Sequence, residues 1–345
     1  MMKIFYKALA IIMFISWSCE NQDWEYKDFD YTACYFPYQT PVRTLILGDY
    51  DQGYNDSDNN HRFEIGAVLA GMYNNNDVRQ VHYTVDESLL DNVSNVVALP
   101  AQYYQLETPS PVTIPEGSTK AVITVQLADA FFTDSLSFVT ERDSVNYVIP
   151  LLLTQVENID SILSGLPADG VVDPVRTSIA DWKTEPKDYT LFGIKFINEY
   201  HGNYLRRGTD ILTDSVNNIT TNVYHAEYVE QDELIRVAIS GRNSVVLSNR
   251  VRRGDSTSPG DIHMELTFDS DLNCVVSSTS ASQFQVNGTG KFVKGVEEWG
   301  GNSRNAIYLD YSFHDTINNE SHQVNDTLVV RDRDVVFESF TIILN

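Results

Sequence analysis

Three cysteines, seven histidines and 24 basic residues against 48 acidic ones are small numbers for a chain of 345 residues. Each scarcity closes off a class of function. Cys19, Cys34 and Cys274 are too few and too scattered for a disulfide scaffold, and no CxxC or Cys/His spacing suits a structural zinc. The histidines are dispersed as well, so neither a metal nor a cofactor is expected. A formal charge of -24 repels phosphate backbones and anionic headgroups, which argues against nucleic acid and against peripheral electrostatic membrane binding. Neutral polymers, cations and basic partners remain. Also missing are an apolar run long enough to span a bilayer as a mature helix, a 3.6-residue amphipathic stretch of any length, and low-complexity tracts. Catalytic motifs are absent too, so an enzyme is not expected.

What is present begins with a targeting pattern. Lys3 and Lys7 precede a short apolar segment, residues 8–15, and Ser16, Trp17 and Ser18 lead into Cys19. This resembles a bacterial lipoprotein signal, which implies removal of residues 1–18 and acylation of Cys19, with residues 19–30 as a tether. An ordinary secretory signal with a chance cysteine is the alternative. Glu20, Asp23 and Glu25 resemble the acidic surface-export signals of Bacteroidetes lipoproteins.

The length favours two domains, and 42% hydrophobic with 11% aromatic residues supplies their cores. From Tyr31 the hydrophobic period is two. In the segment 61–73, Phe63, Ile65, Ala67, Leu69 and Tyr73 share a face, and Val81, Tyr83 and Val85 do so in the next. Short strands between turn-forming clusters predict an antiparallel sandwich over residues 31–163. Pro150, inside an apolar run, suggests an edge strand or bulge. Residues 164–186 lose alternation and read as a linker, in which Trp182 is placed to pin the domains together. Residues 188–210 then read as the founding hairpin of a second all-β domain, 187–345, because Phe192, Ile194 and Phe196 alternate with Leu191, Gly193 and Lys195. Eight or more strands joined by short turns predict a closed meander barrel, a second sandwich being the alternative. Cys34 and Cys274 thus fall in different domains and are expected as small buried residues rather than a disulfide.

Several patches resemble a known group. The segments 61–89 (HRFEIGAVLAGMY onward), 99–118 (LPAQYYQLETPSPVTIPEGS) and 200–208 (YHGNYLRRG), with GTGKF and RNAIYLDYSF later, are similar to uncharacterised two-domain Bacteroidetes surface lipoproteins. The resemblance implies an immunoglobulin-like N-terminal domain and a lipocalin-like or related C-terminal β domain. It also implies glycan handling beside polysaccharide-utilisation machinery, with importer subunits of the outer membrane as neighbours; it carries over no catalytic residues. Separately, triplets headed by Asp134, Asp143, Asp160, Asp214, Asp255, Asp315 and Asp326 resemble the Asp-Ser/Thr-apolar acceptor sites for O-glycosylation in exported Bacteroidetes proteins.

Glycan binding needs an aromatic face and nearby planar polar groups. Trp299 in VEEWGGNSRN, with Asn302 and Arg304 close by, is the best single candidate, against a role as a packing residue at the barrel end. Tyr204 and Arg206, beside Arg207, form a second, because alternate residues of a barrel strand face inward and a buried arginine demands a partner, against a reading with Tyr204 in the core and both arginines on the surface. The loop carrying Asp49, Asp51, Asn55, Asp56 and Asp58 offers oxygen ligands but lacks the glycine and terminal glutamate of the twelve-residue calcium loop. The expected function is a non-catalytic glycan-binding accessory on the outer-membrane surface. A structural or adhesive subunit and a cryptic glycosidase are the competitors.

Overall fold

The computed structural model describes residues 28–252 and 260–345. Cys19 and Trp24 lie outside them, as does Asp255. The N-terminal part is a sandwich of two sheets. One runs in the order Ser161–Ile162, Ala33–Tyr35, Arg62–Ala70, Lys120–Leu127 and Tyr104–Leu106. The other runs Glu338–Ser339, Pro41–Ile46, Tyr189–Ile197, Tyr147–Glu157, Arg79–Val85 and Val112–Ile114, with Val97–Ala98 also paired to Tyr147–Glu157. The period-two pattern dictates what lies between the sheets. Phe63, Ile65, Ala67 and Leu69 are buried on one side and meet Ile149, Leu151 and Phe196 in one core. Tyr73 does not join them: the strand ends at Ala70, Gly71 turns the chain at φ 90°, and Tyr73 is exposed.

The segment Tyr189–Ile197 corrects the expected domain boundary. It is no barrel hairpin but a central strand of the sandwich, parallel to Pro41–Ile46 and antiparallel to Tyr147–Glu157. Both of its faces are covered. Ile194 and Phe196 enter the inter-sheet core, while Tyr189 and Leu191 pack on the outer side with Val148 and Phe340. Alternation identified a strand, but period two cannot name a strand's partners. Residues 338–344 also return to the sandwich, where Val42 pairs with Glu338 and Val93 bridges Leu344. The second domain is therefore shorter at both ends than 187–345.

Pro150 is likewise in a central strand, not at an edge. Its carbonyl accepts from the Asp86 amide at 3.0 Å, and Arg79–Val85 has ended one residue earlier. The missing donor therefore falls on the last rung of that ladder, where its loss costs least.

Eight antiparallel strands form the closed barrel: Gly202–Thr213, Glu233–Gly241, Ser244–Arg250, Asp261–Phe268, Asn273–Ser278, Val286–Trp299, Asn302–Asp315 and Glu320–Asp332. Pairing between the first and the last, from Asn203 with Asp332 to Thr213 with Ser321, closes it. Ile219–Tyr224 adds an extra strand along the second half of Gly202–Thr213, beyond the reach of Glu233–Gly241. Tyr204, Met264, Leu266, Phe292 and Tyr311 fill the interior, so this part of the lumen is a packed core. Cys34 and Cys274 are buried free thiols, one in each core, and burial pushes each up to about 12.

The junction is built on arginine. Arg333, just past the last barrel strand, donates to four carbonyls: His201 at 2.9 Å, Asp49 at 2.7 Å, Leu47 at 3.1 Å and Asn198 at 2.6 Å. Asp334 receives Arg142 from the sandwich and Arg236 from the barrel. Trp182, expected to pin the domains, instead donates its indole N–H to Val175 within its own linker at 2.8 Å.

Candidate functional site

Inside the barrel, the even-numbered residues of Gly202–Thr213 point inward, which places both Tyr204 and Arg206 there. The Tyr204 hydroxyl donates to the Tyr200 carbonyl at 2.7 Å, a packing role. Arg206 meets the partner its burial requires. Its Nε donates to Asp326 Oδ2 at 3.0 Å, its Nη1 to Glu233 at 3.2 Å and its Nη2 to the Tyr224 hydroxyl at 3.1 Å. Tyr311 donates to Asp326 Oδ2 at 2.9 Å, and Tyr224 to the other carboxylate oxygen. Burial works against the guanidinium charge, but Asp326, Tyr311 and Tyr224 together outweigh it and raise its pKa. Burial, reinforced by Asp326, holds Tyr311 well above the usual phenol range, so it stays a donor. This cluster is internally matched and serves the barrel interior. Asp326 heads one of the Asp-Thr-apolar triplets, yet it is buried in a strand, not held in an open turn. Arg207 faces the other way and pairs with Asp232 at 2.6 Å.

Trp299, Asn302 and Arg304 come together outside the barrel. Gly300 and Gly301, at φ 60° and 75°, make the two-residue turn that sets Trp299 opposite Asn302. The Arg304 guanidinium lies 4.4 Å over the indole and also reaches Asp51 of the sandwich. The indole N–H is committed to the Val330 carbonyl at 3.0 Å. Trp299 thus presents at most one free face, the Arg304 guanidinium is held by Asp51 with its Nε buried and unpaired among the described residues, and the exposed Asn302 amide donates to the Gly300 carbonyl at 3.4 Å. The barrel wall separates this trio from Tyr204 and Arg206.

The acidic loop 49–58 is dispersed over protein donors. Asp49 pairs with Lys294 at 3.2 Å and Asp51 with Arg304. The buried Asp58 accepts from the Ile46 amide at 2.9 Å and from Arg43. Asn55 bonds the carbonyls of Ile46 and Gly48 at 2.8 and 2.7 Å. These groups fasten the loop and tie it to the barrel rather than converging on one point.

A better-formed opening lies on the sandwich, where residues 37–40, 177–180, 339–342 and Leu344 line a groove of about 620 Å³. Tyr38, 55% exposed, stands in its wall, with the 70% exposed Phe337 ring 5.1 Å away. Tyr189 and Phe340 form an apolar floor, and Gln39, Ser178 and Glu185 supply polar groups. The Thr177 hydroxyl in this wall is buried and has no hydrogen-bond partner among the described residues. Sequence reasoning missed this site because three distant segments build it. The available signal was Tyr38 between Pro37 and Pro41, an aromatic residue in a stiffened loop.

Comparison with known proteins agrees with the two-part division. A model for a domain of unknown function (DUF5627) matches residues 199–334, which span the barrel, and an N-terminal-domain model matches residues 27–160. No curated protein matches. A Bacteroides ovatus protein of unknown function, solved by structural genomics, shares 36% identity at a TM-score of 0.83, over 92% of this chain and 100% of that one. A multidomain Bacteroides ovatus protein that includes DUF1735 shares 13% identity at a TM-score of 0.41, over 91% of this chain and 100% of that one. An auxiliary nutrient binding protein from Bacteroides thetaiotaomicron shares 14% at 0.37, over 86% of this chain and 95% of that one. Likeness as loose as the last two transfers no function. The extent and identity of the first match are of another order: the chain belongs to the family of that Bacteroides ovatus protein.

Proposed function

We propose that this chain is a non-catalytic surface protein that captures glycan as an accessory of a polysaccharide uptake system, anchored in the outer membrane through an acylated Cys19. The groove beside Tyr38 carries the reading. It combines an exposed aromatic pair, suited to sugar C–H faces, with the polar side chains of Gln39 and Glu185, suited to sugar hydroxyls. The acids at the junction and in the Arg206 cluster support a binding role over catalysis. Asp49 and Glu199 share Lys294, Asp51 meets Arg304, and Asp326 meets Arg206, so these carboxylates are spent on ion pairs. Capture on a tether raises the local concentration of a polymer near its importer, and weak sites gain strength through multivalency.

The test is affinity electrophoresis through gels containing soluble polysaccharides. Retardation of the wild type by at least one polymer is expected, with about tenfold weaker retention for the Tyr38→Ala, Phe337→Ala double variant, the loss of roughly 1.4 kcal/mol of stacking. Trp299→Ala serves as comparator and should lose less. Absence of retardation on every polymer, or retention unchanged in the groove variant, overturns the site. Release of reducing sugar would favour the glycosidase reading, and self-polymerisation the adhesive one. For the anchor, Cys19→Ala is expected to release the protein from membranes; unchanged membrane retention refutes it.

A further inference from the structure

At the barrel end opposite the one that joins the sandwich, the strands Asn302–Asp315 and Glu320–Asp332 form a hairpin whose last register pair is Asp315 with Glu320. Alternation points both inward, together with His322 two residues on, and Gly202–Thr213 brings Asp210 alongside across the closing seam. One ligand atom from each of Asp315, Glu320 and His322 lies within 4.8 Å of the others. Asp210, Asp315, Glu320 and His322 are 3%, 0%, 7% and 2% exposed.

The imidazole is oriented from behind. Its Nδ1 lies 2.9 and 3.1 Å from the two carboxylate oxygens of Asp210, so the Nδ1 proton is donated there. Phe313 stacks on the ring at 4.4 Å and 7°, fixing its plane. Nε2 is then the ring atom left facing the hairpin's carboxylates. That atom is buried without a hydrogen-bond partner among the described residues, and Glu320 Oε2 is 3.8 Å away. Asp315 is oriented too, its Oδ1 accepting from the amides of Ile317 at 2.9 Å and Asn318 at 3.2 Å. A carboxylate behind an imidazole and two carboxylates in front of it is the arrangement in which proteins hold transition metals.

We propose that Asp315, Glu320 and His322 bind a divalent first-row metal ion, zinc foremost, with Asp210 positioning the imidazole. Calcium fits poorly because it takes six to eight oxygens, whereas two carboxylates, an imidazole and one water complete a zinc tetrahedron. The 3.8 Å between Nε2 and Oε2 is within about half an ångström of the roughly 3.4 Å edge such a tetrahedron has, given bonds of ~2.1 Å. The ion would brace the turn end of the 302–332 hairpin, which the Asp210–His322 contact already ties to Gly202–Thr213 along the seam that closes the barrel.

The experiment titrates the untagged full chain, stripped with chelator, with ZnCl2 by calorimetry and with CoCl2 by visible absorption. One equivalent of zinc, a four-coordinate cobalt band bleached by zinc, and a raised melting temperature are expected. His322→Gln and Glu320→Gln should weaken binding by about 100-fold or more, and Asp210→Asn by about 10- to 100-fold. A wild type that binds neither metal, or a His322→Gln variant that binds zinc equally well, overturns the proposal, as does stoichiometric calcium uptake in preference to zinc. Should His322→Gln fail to fold, the wild-type cobalt spectrum and Asp210→Asn decide: a colourless chain, or undiminished affinity in Asp210→Asn, overturns it.

Discussion

Arg333→Met removes a guanidinium that meets four backbone carbonyls and replaces it with an apolar chain of similar length. Two of those carbonyls, Leu47 and Asp49, follow a sandwich strand, and the other two, Asn198 and His201, lie on the connection into the barrel. Each hydrogen bond to a charged donor nets about 1.5–3 kcal/mol, which would sum to more than any single site delivers. The sum is reduced because the guanidinium is buried, a cost that also lowers its pKa from the usual arginine range. Breaking one side of such a buried arrangement is expected to cost about 3–5 kcal/mol. Arg333→Lys should recover only part of this, since a single ammonium cannot span four acceptors placed for a planar fork. Urea unfolding followed by tryptophan fluorescence and far-ultraviolet circular dichroism measures both quantities. Loss of the junction should also separate the two probes into different transitions, because sandwich and barrel have separate cores. A loss under about 1 kcal/mol, with coincident transitions, would refute the assignment of Arg333 as the clamp between domains.

His201 gives a pH prediction. Burial first, then the charges of Arg236 and Arg333, lower its pKa from 6.5 to about 3, and its Nδ1 accepts from the Ile239 amide at 3.0 Å. The unfolded chain therefore binds a proton that the folded chain refuses, so this stability is complete above pH 6.5 and is lost as pH falls toward 3. Between pH 6.5 and 4.5 the wild type should lose about 2–3 kcal/mol more than His201→Gln, measured by urea midpoints; parallel profiles would refute this. The buried pair Lys195 and Glu338, 2.7 Å apart, gives another: Glu338→Gln should cost about 3–5 kcal/mol, whereas Lys195→Met with Glu338→Leu should come within about 2 kcal/mol of the wild type. A double variant no better in thermal unfolding than Glu338→Gln would show that packing, not charge pairing, sets the cost.

Local pattern was legible in the sequence, and long-range pairing was not. Alternation offered Tyr204 and Arg206 as inward-facing residues of a barrel strand, against a reading with Tyr204 in the core and the arginines on the surface; it is the fold that buries Arg206 and meets it with Asp326. The same alternation could not say that Tyr189–Ile197 pairs with Pro41–Ile46, a neighbour about 150 residues away in the chain, because a strand buried on both faces carries no mark of which sheet receives it. Pro150 misled because the cost of proline depends on which ladder rung it occupies. The acids and histidine at the barrel end escaped notice for a related reason. Zinc spacings describe ligands on one turn or finger, whereas Asp210, Asp315, Glu320 and His322 meet through strand register.

The return of residues 338–344 to the sandwich bears on how the molecule is made. Phe340 and Ile342 cover Tyr189, Leu191 and Val148, and Glu338 neutralises the buried Lys195. During synthesis the first domain to emerge thus keeps a bare apolar flank and an unmatched ammonium until the barrel has been translated. The domain begun first is completed last, and a polypeptide cut after the barrel would carry an open seam on its oldest part.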